Sequence, residues 1–135
     1  MRTNTVALTA VCLFVCFTLA SLALAQEGHP MSGSWVGDWG LTPAQRNRVV
    51  VLLDWTGSAL VGTINPGPNA IPVRVATVNP KDWSLHMEAD TKDAQGRAVA
   101  YVIDGKIDDV ESYNRSIAGT WRVDGREGTF SITRQ

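Results

Sequence analysis

Cysteine is nearly absent from this 135-residue chain, and its two copies, Cys12 and Cys16, both lie near the start. Any domain that follows them has neither a disulfide nor a thiol, although small exported domains often depend on disulfides. Histidine is equally scarce, with two residues in the chain. The sequence contains no Gly-x-Ser-x-Gly elbow and no serine with a credible histidine partner nearby in sequence. We therefore predict no catalytic residue and no cofactor.

An excess of charge of one sign is also lacking. Twelve basic side chains stand against 13 acidic ones, which gives a formal net charge of −1. A protein that binds nucleic acid or an anionic membrane surface usually carries a marked positive charge. We therefore expect neither nucleic acid nor a membrane as a partner of the mature domain.

The first 25 residues have the pattern of a secretory signal peptide. Arg2 supplies the positive charge, residues 6–24 are almost entirely apolar, and Ala23-Leu24-Ala25 has the small-x-small form of a cleavage site. The apolar stretch approaches the roughly 20 residues of a spanning helix, so an uncleaved anchor is the alternative. Because polar Gln26 follows the site at once, we predict cleavage and a secreted or periplasmic protein.

Removal of residues 1–25 leaves 110 residues with a net charge near −2, because Arg2 is the one charge lost. That length fits one domain. Residues 26–33 are mostly polar or small and are predicted to be a flexible lead-in. Residues 34–135 are predicted to form the single domain.

Short runs of alternating polar and apolar residues, separated by turn signals, follow one another through this domain. The pattern predicts an all-β fold, an antiparallel up-and-down meander of about eight strands. No segment shows a helical period. The predicted strands are 34–40, 48–55, 59–65, 70–78, 83–89, 99–107, 115–123 and 128–134.

Glycines in the middle of these strands suggest how the sheet curves. Gly37, Gly62, Gly105 and Gly119 fall on the apolar face, where a missing side chain marks a bend or a close approach. Four such positions favour a small barrel that is closed or nearly closed, with a β-sandwich as the alternative. Pro72 marks an edge, a bulge or a break in the fourth strand.

The second predicted strand differs from the others because residues 49–53 are apolar on both faces. Such a strand is expected to be covered on both sides. The second cover would be either the rest of the fold or a partner, so a homo-oligomer or a protein partner through Val49 to Leu53 is predicted.

Two short motifs resemble those of the calycin-type barrels, the lipocalins and avidins. Gly33-Ser34-Trp35 (or Gly37-Asp38-Trp39) is similar to their opening Gly-x-Trp, and Arg134 to the arginine on their last strand. The resemblance implies that the Arg134 guanidinium stacks on Trp35 and closes the barrel base. The chain departs from the families in its short length, in having no disulfide, and in lacking the helix that follows the lipocalin barrel and the polar residues of a biotin site. The resemblance therefore implies an architecture and no particular ligand.

Interior aromatic residues are the leading candidates for a binding site. An eight-stranded barrel has room for side chains or for one small ligand. We predict that Trp39, Trp83, Tyr101 and Trp121 hold a small, partly apolar ligand at the end opposite the Trp35–Arg134 closure; the alternative is that these rings fill the core. The predicted function is an exported binding module, and the alternative is an interaction domain without a small ligand.

Polar residues give weaker candidates. His86, Glu88 and Asp104 are predicted to share the water-facing side of a hairpin, which suggests a metal-dependent enzyme as the least favoured function. A solvated strand face is the favoured interpretation, so no metal site is predicted.

Three loop features complete the candidates. The acidic residues Asp104, Asp108, Asp109 and Glu111 suggest oxygen ligands for calcium, although their spacing fits a solvated turn better. Trp55, at a predicted hairpin tip, either binds a sugar or a partner or folds over the barrel end as a plug. Asn114-Arg115-Ser116 is a formal glycosylation sequon.

Overall fold

The computed structural model describes residues 28–135, which contain eight β-strands. The signal-peptide prediction for residues 1–25 and the cleavage site before Gln26 lie outside these residues. The strands are β1 (Gly33–Thr42), β2 (Gln45–Trp55), β3 (Leu60–Ile64), β4 (Ile71–Asn79), β5 (Ser84–Lys92), β6 (Ala98–Asp108), β7 (Ser116–Val123) and β8 (Arg126–Arg134).

Each strand pairs with the next in antiparallel fashion, and β1 also pairs with β8. The sheet is therefore a closed up-and-down barrel, which confirms the predicted fold class and decides against the sandwich. Short connections explain the topology, because a tight turn can join antiparallel neighbours only. At the β7–β8 hairpin, Asp124 and Gly125 have φ values of 46° and 72°. Positive φ at both central residues suits the twist of a two-residue hairpin loop.

The barrel has two different ends. We call one the turn end; it carries the β1–β2, β3–β4, β5–β6 and β7–β8 connections. We call the other the closed end; it carries the remaining connections, the start of β1 and the last residues of β8. Leu53 pairs with Gly33 at the closed end, and Gln45 pairs with Thr42 at the turn end.

The core lies inside the barrel and follows the predicted alternation of side chains. Buried apolar residues occupy alternate positions of the strands, as in Leu85, Met87 and Ala89 of β5. His86 and Glu88 lie between them on the outer face, where they are only partly covered. Full burial of one large apolar side chain contributes about 1.5–3 kcal/mol, so these rows supply the main stabilisation of a domain without disulfides. The largest fully buried side chains are Trp35, Met31, Leu85, Met87, Ile117 and Ile132.

The compact unit that contains the barrel extends from Met31 to Gln135, so it begins a few residues before the predicted domain start at position 34. Met31 is fully buried, and its carbonyl accepts a hydrogen bond of 2.9 Å from the Trp35 indole. The Met31 side chain thus belongs to the core.

Pro72 lies in the β3–β4 seam, where Thr63 pairs with Pro72 and Ile64 with Ile71. The register of β4 against β5 then shifts between Val73 and Val75. Proline has no N–H to donate to a ladder, so it is tolerated where the pairing is short and a bulge follows. The prediction of an irregularity at Pro72 is therefore confirmed as a bulge beside it.

Strand β2 is apolar on both faces but is covered on one. Val49, Val51 and Leu53 are buried inside the barrel, whereas Leu52 on the outer face is 40% exposed. Among residues 28–135, the part of the chain that the structure describes, nothing fully covers Leu52 on the outer face. The alternative prediction, that a partner covers this face, stays open.

Two glycines allow the strands to approach closely. A Cβ atom at Gly37 would collide with the backbone carbonyl oxygen of Ser131, and one at Gly119 with that of Asp104. Gly37 lies in the seam between β1 and β8, where it pairs with Ile132. Both collisions involve backbone, which a side-chain rotation cannot relieve.

We expect Gly37→Ala to destabilise the barrel by about 3 kcal/mol, the upper part of the usual range for overpacking, because the β1–β8 seam would have to separate. The measurement is the midpoint of urea unfolding. Ser131→Ala is the matched control, because Ser131 is exposed on the outer face of the opposite strand. Its effect is expected to stay within about 0.5 kcal/mol. Equal midpoints for the two variants would show that the seam has more room than the structure indicates.

Candidate functional site

A cavity of about 90 Å³ opens at the turn end of the barrel. Twelve residues line it, and eleven of them are apolar or aromatic. Its inner wall is buried and includes Val51, Met87 and Ile132, whereas Ile71 and Tyr101 are half-buried. The exposed residue Asn65 also lines it. The cavity therefore reaches solvent on the Asn65 side, between the turns.

Three aromatic rings form one wall of this cavity. The ring centroids of Trp39 and Trp121 are 4.9 Å apart, with an interplanar angle of 79°, so the rings meet edge to face. Tyr101 lies 6.2 Å from Trp121 with an angle of 51°. The Trp121 indole donates a hydrogen bond of 3.2 Å to the Thr129 carbonyl oxygen. Edge-to-face packing and this bond fix the Trp121 ring while leaving apolar surface exposed in the cavity.

Glycine on the neighbouring strand makes room for this ring. Gly128 pairs with Trp121 across the β7–β8 seam. A Cβ atom at Gly128 would lie 2.7 Å from Cζ2 of the indole. The Trp121 ring therefore covers the position that a side chain at residue 128 would take.

Asn65 is the one polar residue of the lining, and sequence analysis missed it. The side-chain oxygen of Asn65 accepts a hydrogen bond of 3.1 Å from the backbone N–H of Val50. The backbone N–H of Asn65 donates one of 2.7 Å to the backbone carbonyl of Val50. Its φ of 49° is left-handed, a conformation that asparagine tolerates better than most residues. The signal in the sequence was Asn65-Pro66-Gly67, which marks a turn but says nothing about a cavity.

The four predicted ligand-binding residues do not all meet. Trp39, Tyr101 and Trp121 line the cavity, whereas Trp83 is not among its lining residues. Trp83 lies in the β4–β5 connection at the closed end, with a φ of 56°, and packs partly buried against the core. Its carbonyl accepts a hydrogen bond of 3.0 Å from the Ile107 amide. Trp83 therefore lies at the closed end, away from the cavity, and the prediction that groups it with Trp39, Tyr101 and Trp121 is wrong.

Trp35 and Arg134 lie at the closed end, where they are direct partners in the β1–β8 ladder. Trp35 is fully buried. The Arg134 side chain passes over Gly33, because a Cβ atom at Gly33 would lie 2.9 Å from Arg134 Nε. The pairing places both predicted closure residues at the expected end, and the stacking of guanidinium on indole stays a prediction.

A second buried arginine, which sequence analysis missed, also belongs to the closed end. Among the buried residues of the described range 28–135, Arg115 is the one with a charged side chain, and its Nε donates a hydrogen bond of 3.0 Å to the Ser112 carbonyl. Its own carbonyl accepts a bond of 3.0 Å from the Arg134 amide. Arg115 thus links the β6–β7 connection to the end of β8.

A polar network crosses the outer face of four strands. His86 Nδ1 lies 2.6 Å from Asp104 Oδ1, and His86 Nε2 lies 3.3 Å from Glu88 Oε1. Arg122 donates a bond of 2.9 Å to the other oxygen of Asp104. Arg74 forms an ion pair with Glu88 and donates a hydrogen bond of 2.7 Å to the Asp90 carboxylate. The prediction that His86, Glu88 and Asp104 share the outer side is thus matched by direct contacts among them.

The network shifts the titration of His86. Hydrogen bonding to Asp104 and then to Glu88 raises the pKa of His86 above its ordinary value of 6.5. The pKa of Glu88 is lowered, mainly by its hydrogen bond with His86 and next by its hydrogen bond with Arg74. Both imidazole nitrogens face carboxylates, so the arrangement stabilises a protonated histidine.

Residues 28–135 contain no cluster of three or more histidine, cysteine, aspartate or glutamate side chains that could hold a metal ion. Asp109 and Glu111 are exposed in the β6–β7 connection, and the Asp109 carbonyl accepts a hydrogen bond of 2.7 Å from Ser112. Asn114 of the sequon is exposed in the same connection. Trp55 ends β2 and packs partly buried against the core, in the position expected of a plug.

No protein-family model, curated protein or solved structure matches this chain. The likeness to calycin-type barrels therefore remains a resemblance that depends on Gly33, Trp35 and Arg134. Within the part of the chain that the structure describes, no helix has the length and apolar character needed to cross a membrane.

We expect the pKa of His86 to lie above 6.5 and to fall in Asp104→Asn, because the largest cause of the shift is the bond to Asp104. The measurement is an NMR titration of the imidazole protons. A raised pKa means that protonated His86 stabilises the fold fully below the unfolded value of about 6.5. This contribution is lost as the pH rises through the folded pKa.

The free energy of unfolding of the wild type and of His86→Gln, measured as a function of pH, tests the same linkage. The His86→Gln variant serves as the reference because it retains the pH dependence of all other titrating groups. The wild type should lose its advantage as the pH rises above about 6.5, the unfolded value, and passes through the raised pKa of folded His86. A difference that is constant with pH, or one that grows as the pH rises, would contradict the assignment.

Proposed function

We propose that this chain is an exported β-barrel module that binds one small, neutral, largely apolar molecule in the cavity at the turn end. The observation that carries the proposal is the cavity itself, with its wall of Trp39, Tyr101 and Trp121. Export is proposed from the signal-peptide pattern of residues 1–25. Ligand pockets are typically apolar clefts with a few polar groups that orient the ligand, which is the composition found here.

The size of the cavity limits the ligand. An apolar cavity of about 150 Å³ is known to bind benzene or xenon in another protein. The cavity of about 90 Å³ therefore fits a group no larger than a single small ring. Because the Asn65 side reaches solvent, a ligand could extend out of the barrel between the turns.

The lining also limits the chemistry of the ligand. None of the twelve lining residues carries a charge. Transfer of a charged group into such a site without a partner is costly, so we propose that the buried part of the ligand is neutral. Aromatic edges and faces at Trp39 and Trp121 favour a ring. The side-chain oxygen of Asn65 accepts a hydrogen bond from Val50, so we propose that the side-chain NH2 group of Asn65 donates to a ligand oxygen.

The resemblance to calycin-type barrels supports the same proposal. Eight-stranded barrels of this size hold one small ligand in the open end in lipocalins and in streptavidin. In this chain the residues that carry the resemblance, Trp35 and Arg134, lie at the opposite end from the cavity. The metal-dependent enzyme is not pursued, because both nitrogens of His86 are engaged by carboxylates.

The first experiment is native mass spectrometry of the full chain after expression in an exporting host, purified as the cell leaves it. The denatured mass reports whether residues 1–25 have been removed. An additional small mass that disappears on denaturation identifies a retained ligand and its size. Loss of residues 1–25 supports the export part of the proposal independently of any ligand.

We expect the purified protein to bind benzene, used as the probe, with a dissociation constant of about 1 mM or tighter. NMR chemical shifts of the Trp39 and Trp121 indole protons report the binding. Ile64→Trp should abolish it, because Ile64 lines the cavity and a larger side chain would fill it.

Two control variants separate loss of the cavity from general damage. Ala100→Trp places the same side chain on an exposed outer position beside Tyr101 and should bind like the wild type. Trp83→Ala should also leave binding intact, since Trp83 lies at the closed end. A wild type that binds no benzene and retains no ligand would overturn the proposal, as would undiminished binding by Ile64→Trp.

A further inference from the structure

The outer face of β2 carries a symmetrical row of side chains. Arg48, Val50, Leu52 and Asp54 alternate with the buried residues of the strand, so all four face outward. Leu52 is 40% exposed, and Val61 on β3, the ladder partner of Asp54, is 46% exposed. The row therefore consists of two apolar side chains between one positive and one negative charge.

In the part of the chain that the structure describes, the two charges in this row have no partner of their own. Arg48 lies opposite Asp38 in the β1–β2 ladder, but Asp38 is engaged by Arg46 through contacts of 2.6 and 2.9 Å. Within residues 28–135, Arg48 and Asp54 make neither a side-chain hydrogen bond nor an ion pair. The outer face of β4 to β7 differs, because Arg74 and Arg122 there are paired with carboxylates.

We propose that this face of β2 is the interface of a homodimer, in which a second copy of the chain packs with its β2 antiparallel to the first. A twofold axis in the plane of the interface, passing at the level of Val51, places Arg48 opposite Asp54 of the other copy. The same axis places Val50 opposite Leu52. A twofold interface must be self-complementary, and the order positive, apolar, apolar, negative fulfils that condition when it is reversed.

The dimensions suit this arrangement. Arg48 and Asp54 are six residues apart, which is about 20 Å along a strand. Each charge thus lies about 10 Å from the axis. Sheets packed face to face cross at about 30°, which displaces the strand ends by about 5 Å. The long Arg48 side chain spans such a displacement, so both ion pairs form in one geometry.

The proposed dimer does not depend on the proposed ligand. Val49 and Val51 of β2 face the cavity, whereas Val50 and Leu52 face outward. The cavity and the proposed interface therefore use opposite faces of the same strand, although Asn65 of the cavity lining is hydrogen-bonded to Val50. Failure of either proposal leaves the other standing.

The test is analytical ultracentrifugation of the full chain purified from an exporting host, for the wild type and for charge variants. We expect the wild type to dimerise at micromolar concentration. Arg48→Asp and Asp54→Arg should each weaken dimerisation about tenfold or more, because each places like charges opposite one another twice in the interface. The combined variant, with both changes, should restore the dimer, because the two charges are then exchanged.

Mixing the two single variants gives the sharpest outcome. One variant then has two negative charges in the row and the other has two positive ones, so the mixture should form a heterodimer although each variant alone is monomeric. Lys106→Asp is the control, because Lys106 is an exposed residue on β6, far around the barrel. Circular dichroism and urea unfolding confirm that the variants are folded.

Three results would overturn the dimer. The first is a wild type that remains monomeric at about 100 µM, which is well above the dissociation constant of most specific homodimers. The second is a dimer that the single charge reversals leave unchanged, which would place the interface elsewhere. The third is that the two single variants are each folded and monomeric but form no heterodimer when they are mixed.

Discussion

The backbone ladder between β1 and β8 is the interaction on which the rest of this structure depends. It pairs residues 35–40 with residues 129–134 and removes the two open edges that an eight-stranded sheet would otherwise expose. The approach is close enough that Gly37 has no room for a side chain beside Ser131. Closure at this distance also sets the width of the interior, which has space for side chains and little else.

The distribution of large residues within that interior explains why space remains at one end. Trp35, Met31 and Arg115 fill the closed end, where the chain enters and leaves the barrel. At the turn end, Trp39 and Trp121 meet edge to face, and such rings cannot cover one another completely. The remaining space is apolar and uncharged, which restricts what the protein can hold there.

The outside of the barrel is divided in a comparable way. On β4 to β7, charged residues neutralise one another across the strands, and His86 stabilises the network most when it is protonated. On β2, Arg48 and Asp54 make no ion pair within residues 28–135, and they flank half-buried Val50 and exposed Leu52. Surface ion pairs contribute little free energy individually, so the difference matters for recognition more than for stability. The two regions present different chemistry to solvent although the same sheet carries them.

Most of the fold was predictable, because strand patterns are local. Alternation identified the eight strands and their inner faces, and Asp124-Gly125 identified a hairpin. The candidate site was predictable in part. Trp39, Tyr101 and Trp121 were correctly grouped inside the barrel, but alternation places Trp83 inside as well and does not give its height along the axis. Asn65 lies in a connection, where no periodic signal exists to connect it with a cavity.

The sequence by itself determined which face of the sheet each strand residue occupies, since side chains in a strand alternate with a period of two. The tertiary structure decided the height of each residue in the barrel, and therefore which residues meet. That height depends on the stagger between paired strands, which is fixed only when all eight ladders close together. For this reason Trp39 and Trp121 share a cavity, His86 lies between two carboxylates, and Trp83 is separated from the other rings.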